Sequence, residues 1–185
     1  MLIHAAQALS EWQTQTGRDD VYVQVNLTGR DLATSDVANL IDTLIQGYGI
    51  PTGTIRVELT EQAALRDTEK VLETVNAIKS AGAALVLDDF GSGHSSFAWL
   101  ADMPADALKI DPDLTRRIGD PRTEHILEAI TLLASRLNMS VTAEGVEDKA
   151  MIAKLRQLHF THVQGFAFSR PLQKEAALDF LKAEA

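Results

Sequence analysis

Residues 83–96 read Ala83-Ala84-Leu85-Val86-Leu87-Asp88-Asp89-Phe90-Gly91-Ser92-Gly93-His94-Ser95-Ser96. An apolar run ends in two adjacent carboxylates, followed by a Gly-x-Gly loop and polar residues suited to starting a helix. Short aliphatic residues without alternation mark a strand covered on both faces, and such strands belong to parallel sheets connected by helices. Successive side chains on a strand point to opposite faces, so Asp88 and Asp89 are expected to share a direction only where the strand ends. The second carboxylate is therefore expected to mark that end. Gly91 and Gly93 allow a sharp turn and a close approach to a ligand, and Ser95 and Ser96 are expected helix caps. Capping by one of the aspartates is the plain alternative; two carboxylates between a buried strand and such a loop favour metal or phosphate chemistry.

Working outward, strand and helix alternate through the whole chain. Strands are expected over 21–27, 55–61, 83–88, 107–111, 139–144 and 161–164, and helices over 2–15, 36–48, 67–81, 97–100, 123–137, 149–158 and 174–183. Connections this short predict right-handed βαβ units and a parallel sheet. Polar residues recur at the strand ends: Asn26, Glu58, Asp88 with Asp89, Lys109 with Asp111, Glu144 and Gln164. Such a distribution suits a (β/α) barrel, whose C-terminal strand ends open on one face, better than a doubly wound sheet, which uses one switch point. A closed barrel wants eight strands in about 250 residues. The expectation is a single TIM-like α/β barrel domain over residues 1–185 that lacks its first two strands. Strand edges beside 21–27 and 161–164 are then expected to be unpaired.

The 185 residues are 45% hydrophobic and 23% charged, enough apolar content for a sizeable core. A net charge of −9 gives no basic surface for a nucleic-acid polymer, so a small anionic substrate would need a metal. With no cysteine there is no disulfide framework, thiolate zinc site or thiol nucleophile. The same absence fits the cytoplasm. No apolar run approaches the roughly 20 residues of a membrane helix, so no membrane contact is expected.

Val25-Asn26-Leu27-Thr28, Val57-Glu58-Leu59-Thr60-Glu61, Leu87 to Ser96, Leu108-Lys109-Ile110-Asp111, Ala143-Glu144-Gly145-Val146-Glu147, and Gln164-Gly165-Phe166 with Ser169-Arg170-Pro171 resemble, in this order and spacing, the motifs of the EAL domain family. Members of that family are bacterial phosphodiesterases that hydrolyse cyclic di-GMP. The resemblance implies a modified (β/α) barrel with six of its eight strands in this chain. It also shows a departure. The Glu-Ala-Leu motif of the family's second strand, and the arginine beside it, are absent, which implies a fragment or a degenerate domain; a fragment is expected because the other strand-end residues are intact.

Oxygen donors without histidine or cysteine at the strand ends suit Mg²⁺ or Mn²⁺. Two cations about 3.5–4 Å apart would activate water, clamp the phosphate and stabilise the leaving oxygen. The resemblance implies Asn26, Glu58 and Asp88 on one ion, with Asp88 bridging to a second held by Asp89 and Glu144. Lys109 would orient or deprotonate the attacking water; a structural ion pair and a phosphate clamp are its competing roles. Gln164 would position water or substrate, Glu61 and Glu147 would support the 90–96 loop, and Asp111, Arg170 and Pro171 are candidates for guanine contacts. His4, His125, His159 and His162 lack a second histidine at ligand spacing and are expected at the surface or in packing.

The expected activity is metal-dependent hydrolysis of cyclic di-GMP to linear pGpG in bacterial second-messenger signalling. A catalytically inactive receptor or partner-binding domain is the alternative, and homodimerisation is left open. A third class, a barrel enzyme forming an enediolate on Mg²⁺ with a lysine base, is disfavoured by the adjacent acids of Asp88-Asp89-Phe90-Gly91.

Overall fold

A computed structural model describes residues 1–32, 36–65, 68–92 and 99–183. Helix α1 (Leu2–Thr16) buries Leu2, Ala6, Leu9 and Gln13 and stops at Gly17, whose left-handed backbone returns its N–H to the Gln13 carbonyl. Strand β1 (Val23–Asn26) leads through α2 (Gly29–Leu32) to α3 (Asp36–Tyr48), which buries Val37, Ile41, Leu44 and Ile45. Next come β2 (Ile55–Thr60), α4 (Glu61–Leu65), α5 (Thr68–Ser80) and β3 (Ala84–Phe90). A 3₁₀ turn (Trp99–Ala101) precedes β4 (Ala107–Ile110), α6 (Pro112–Thr115), α7 (Pro121–Arg136) and β5 (Ser140–Ala143). The chain closes with α8 (Lys149–Gln157), β6 (His162–Val163) and α9 (Lys174–Ala183). No helix among the described residues is long and apolar enough to cross a membrane.

The six strands follow one another in the order β1-β2-β3-β4-β5-β6. The pairings β1–β2, β3–β4, β4–β5 and β5–β6 are parallel. A strand order without reversal has no switch point. The fold is α/β, of the (β/α) barrel kind, and β1 and β6 end the order of the described strands.

The chain forms two compact units. One comprises Met1–Leu59, Ala63–Leu85 and Pro171–Ala185; the other comprises Thr60–Gln62 and Val86–Arg170. In the first, Leu9, Ile41, Val57, Leu59, Val75 and Ile78 are fully buried. In the second, Val86, Leu87, Leu108, Ile110, Leu127, Ala143, Val146 and Leu155 are. Every residue of β4 is buried, as expected of a strand covered on both faces.

Several expectations change. Strand β3 does not end at Asp88 or Asp89 but runs on to Phe90, with its register against β4 shifting between Leu87 and Phe90. Helices α2, α4 and α6 are single turns that periodicity is too short-sighted to detect. Helix α7 starts at Pro121 because Asp120 caps it, accepting from the Thr123 N–H at 3.1 Å. The expected helix over 97–100 is a 3₁₀ turn from Trp99; residues 97 and 98, and the caps Ser95 and Ser96, lie outside the described residues.

Two glycines separate backbone strain from crowding. Gly53 (φ 81°) and Gly82 (φ 95°) are both left-handed, and the Gly53 N–H donates to the Gly82 carbonyl at 2.8 Å. A Cβ on Gly53 would meet nothing within 4 Å, whereas one on Gly82 would sit 3.2 Å from both Ile45 Cδ1 and Thr52 Cγ2. Gly53→Ala is expected to cost about 1–2 kcal/mol. Gly82→Ala should cost roughly a further 1 kcal/mol or more for crowding. Urea midpoints at unchanged slope measure both; equal losses would show that Gly82 is required for its dihedral alone.

Candidate active site

In the second unit, three consecutive strands bring four charged side chains together at their C-terminal ends. Lys109 on β4 places Nζ 2.7 Å from Glu144 Oε1 and 3.4 Å from Asp88 Oδ1. Its side chain is 5% exposed, against 13% for Asp88 and 15% for Glu144, so the ammonium has exchanged water for carboxylates. Asp88, Asp89 and Glu144 can bring one carboxylate oxygen each within 4.8 Å of one another. Such a cluster of oxygen donors could hold a metal ion.

The shifted register explains how neighbouring residues converge. Asp89 has φ 56°, a left-handed conformation uncommon outside glycine. Its N–H donates to Asp88 Oδ1 at 3.0 Å. The kink breaks the strand's alternation without ending the strand, so both carboxylates reach one place. Burial, then the charges of Asp88 and Asp111, push the Asp89 carboxyl above the ordinary range, and Lys109 only partly opposes them. The excess of negative charge is what a bound cation would relieve.

The other expected residues are distributed unevenly. Asn26 and Glu58 lie in the first unit, opposite one another in the β1–β2 register, with Glu58 buried and Asn26 exposed. Gln164 follows β6; its side chain is exposed and its N–H donates to the Ala143 carbonyl at 2.8 Å. Asp111 caps α6, its Oδ1 accepting from the Asp113 N–H at 2.7 Å. The Arg170 guanidinium lies 5.1 Å from the Phe166 ring centre, and Ser169 Oγ donates to the Arg170 carbonyl at 2.7 Å. Pro171 and Glu147 are exposed. Glu61 is 4% exposed, and its Oε2 has no hydrogen-bond partner among the described residues. Of the loop it was expected to support, Gly93 to Ser96 lie outside the described residues.

Two cavities bear on where the chemistry sits. One of about 590 Å³ lies against the N-terminal end of β5, lined by Asn138, Met139, Ser140 and His159 among others, and holds none of the clustered carboxylates. The other, about 220 Å³, lies among Gly91, Ser92, Asp111, Asp113, Leu114 and Arg117, beside the exits of β3 and β4. Barrel enzymes work at the C-terminal ends of their strands, so the smaller cavity is the relevant one. Arg117 in its wall belongs to no recognisable motif, and nothing in its sequence neighbourhood marks it.

Known proteins resemble this chain in sequence and in fold. A sequence model of the EAL domain matches residues 1–171. Cyclic di-GMP phosphodiesterase NbdA of Pseudomonas aeruginosa is 33% identical over 168 residues, covering 90% of this chain and 22% of that protein. The chain thus spans about a fifth of that relative's length. The crystal structure of the EAL domain of Mycobacterium smegmatis DcpA superposes with a TM-score of 0.90 at 27% identity, covering 98% of this chain and 82% of that one. A manganese and cyclic di-GMP complex of Klebsiella pneumoniae BlrP1 superposes with a TM-score of 0.81 at 25% identity, covering 93% and 44%. Strand order, the acidic cluster around a buried lysine and a family match over nearly all its length agree: the chain belongs to the EAL domain family.

Proposed function

We propose that this chain supplies most of the active site of a phosphodiesterase that opens cyclic di-GMP to linear pGpG. The observation that carries this reading is Asp88, Asp89 and Glu144 gathered around the buried Lys109 ammonium at the ends of β3, β4 and β5. A relative named as a cyclic di-GMP phosphodiesterase supports it.

Asn26, Glu58, Asp88, Asp89 and Glu144 would hold Mg²⁺ or Mn²⁺, two ions per site. When bound, the ions supply a Lewis acid for the phosphate oxygens and water acidic enough to be a nucleophile near neutral pH. Lys109 is oriented by Glu144 and Asp88, which leaves it a donor for the attacking water or the phosphate. Gln164, exposed at the end of β6, would orient water or substrate. Asp111 and the Ser169-Arg170-Pro171 turn would face the guanine bases, the guanidinium presenting an edge of donors while Phe166 steadies its plane. Glu61 and Glu147 would support the loop after β3.

Asp88→Asn is expected to leave the fold intact and lower turnover of cyclic di-GMP by about 100-fold or more. Full activity in that variant overturns the assignment, and binding without turnover in the parent protein would identify a receptor instead.

Asp89 gives a pH-dependent test. Its folded-state pKa lies above the ordinary value of 3.8. The group's stabilising contribution is therefore present at low pH and falls as pH rises through and above the usual carboxylate range. In chelator, Asp89→Asn should melt higher than the parent protein at about pH 7, with the gap closing toward about pH 4. Calorimetric Mn²⁺ titration should show that the same variant binds the ion more weakly. A melting difference that does not change with pH contradicts the electrostatic cause.

Glu61→Ala removes no expected ligand, yet should lower both Mn²⁺ affinity and turnover, by about 10-fold or more. Unchanged affinity would leave Glu61 a structural residue only.

A further inference from the structure

Glu144 and Gln164 leave adjacent strands, and the segments that follow are clipped together by their backbones. The Val146 N–H donates to the Gln164 carbonyl at 3.1 Å, and the Ala167 N–H donates to the Val146 carbonyl at 2.9 Å. Gly165 lies between the two bonds. A Cβ on Gly165 would sit 2.2 Å from the Val146 carbonyl oxygen, 2.4 Å from its nitrogen and 2.7 Å from its carbonyl carbon. All three are backbone atoms, so no side-chain rotation relieves the overlap. The φ of 158° is one that L side chains rarely adopt, so glycine is required here by contact and by dihedral together.

The β5 exit has nowhere to retreat. Val146 is fully buried in a cluster with Ala143 and Leu155. On its other side, Gly145 (φ 69°) would place a Cβ 2.8 Å from Pro112 Cβ, at the start of α6. The segment carrying Glu144 is thus held between the exit of β6 and the first turn after Asp111. Restoring ordinary contact at Gly165 requires the two exits to part by about 1 Å, a displacement of the size that costs active sites roughly 100-fold in rate.

We propose that Gly165 is a positioning residue: its missing side chain sets the spacing of the β5 and β6 exits and so holds the Glu144 carboxylate at the Lys109 ammonium, in register with Gln164. The proposal rests on the reading of Glu144 as a metal ligand.

The test compares Gly165→Ala with Gly119→Ala, a left-handed glycine (φ 108°) whose added Cβ would meet only the flexible Lys154 Nζ, at 3.6 Å. Cooperative unfolding, calorimetric Mn²⁺ affinity and steady-state hydrolysis of cyclic di-GMP are measured for each. Gly165→Ala should lower kcat about 100-fold with KM changed only a few-fold, and weaken Mn²⁺ binding roughly 10-fold or more. Gly119→Ala should keep all three. In a Glu144→Gln background, Gly165→Ala should weaken Mn²⁺ binding little further, since it acts through that carboxylate. Parent-like kcat and Mn²⁺ affinity in a folded Gly165→Ala protein overturn the proposal. If Gly165→Ala does not unfold cooperatively, Val146→Ala decides: it loosens the same seat and must also weaken Mn²⁺ binding, and unchanged affinity refutes the idea. Should Glu144→Gln itself leave Mn²⁺ affinity unchanged, the ligand reading fails independently of Gly165.

Discussion

The arrangement in the second unit depends on one buried ammonium. Lys109 lies in a strand whose every residue is buried, and a charge there is tolerable only with partners at hydrogen-bond distance. Glu144 and Asp88 supply them at 2.7 and 3.4 Å. Asp89 joins the same group, so that among the described residues three carboxylates gather at the Lys109 ammonium. Burial first, and then the charges of Asp88 and Asp111, raise the pKa of Asp89. Structural ion pairs tend toward balance; a site left with excess negative charge and only oxygen donors is suited to taking up a cation.

Backbone features aim these groups. Parallel strands deliver all their C-terminal ends to one side, but two adjacent residues on a regular strand would diverge. The kink at Asp89 overcomes that, using a conformation that costs an L-residue on the order of 1–3 kcal/mol and is held by surrounding pairing. After the strands, Asp111 begins α6 as its cap, so the chain turns away at once and leaves a cavity of about 220 Å³ beside the β3 and β4 exits.

Much of this was legible in the sequence, for identifiable reasons. Unbroken aliphatic runs before Asp88 and in Leu108-Lys109-Ile110 announce strands buried on both faces, and the polar residue that interrupts or ends each run announces a site. The single-turn helices α2, α4 and α6 escaped because a turn of four or five residues shows no periodicity, although Asp111-Pro112 carries a cap and a helix-starting proline. The strand end at Phe90 is not readable locally, because strict alternation places it at the aspartates and a register shift depends on the partner strand, which the local sequence does not contain. The approach of Gly165 to Val146 was hidden for a similar reason, being a distance between segments 19 residues apart in the chain. The Gly-Val and Gln-Gly pairs look like ordinary turn residues until they are brought together.

The charges that serve the site also act on strand alignment. Lys109 pairs opposite Thr142, and Ile110 opposite Ala143, in the β4–β5 register. Sliding β4 by one residue would turn Lys109 from the carboxylates toward the apolar surface where its neighbours Leu108 and Ile110, both fully buried, now pack. An unpaired ammonium there costs several kcal/mol, and Asp88 and Glu144 would be left facing each other without it. An all-aliphatic strand of four residues has little to distinguish one alignment from the next, so the lysine works as a key that fits its lock in a single position. The residues read here as chemical machinery thereby also specify how β3, β4 and β5 assemble, and a chain that discarded them would lose part of the information that makes its sheet unique.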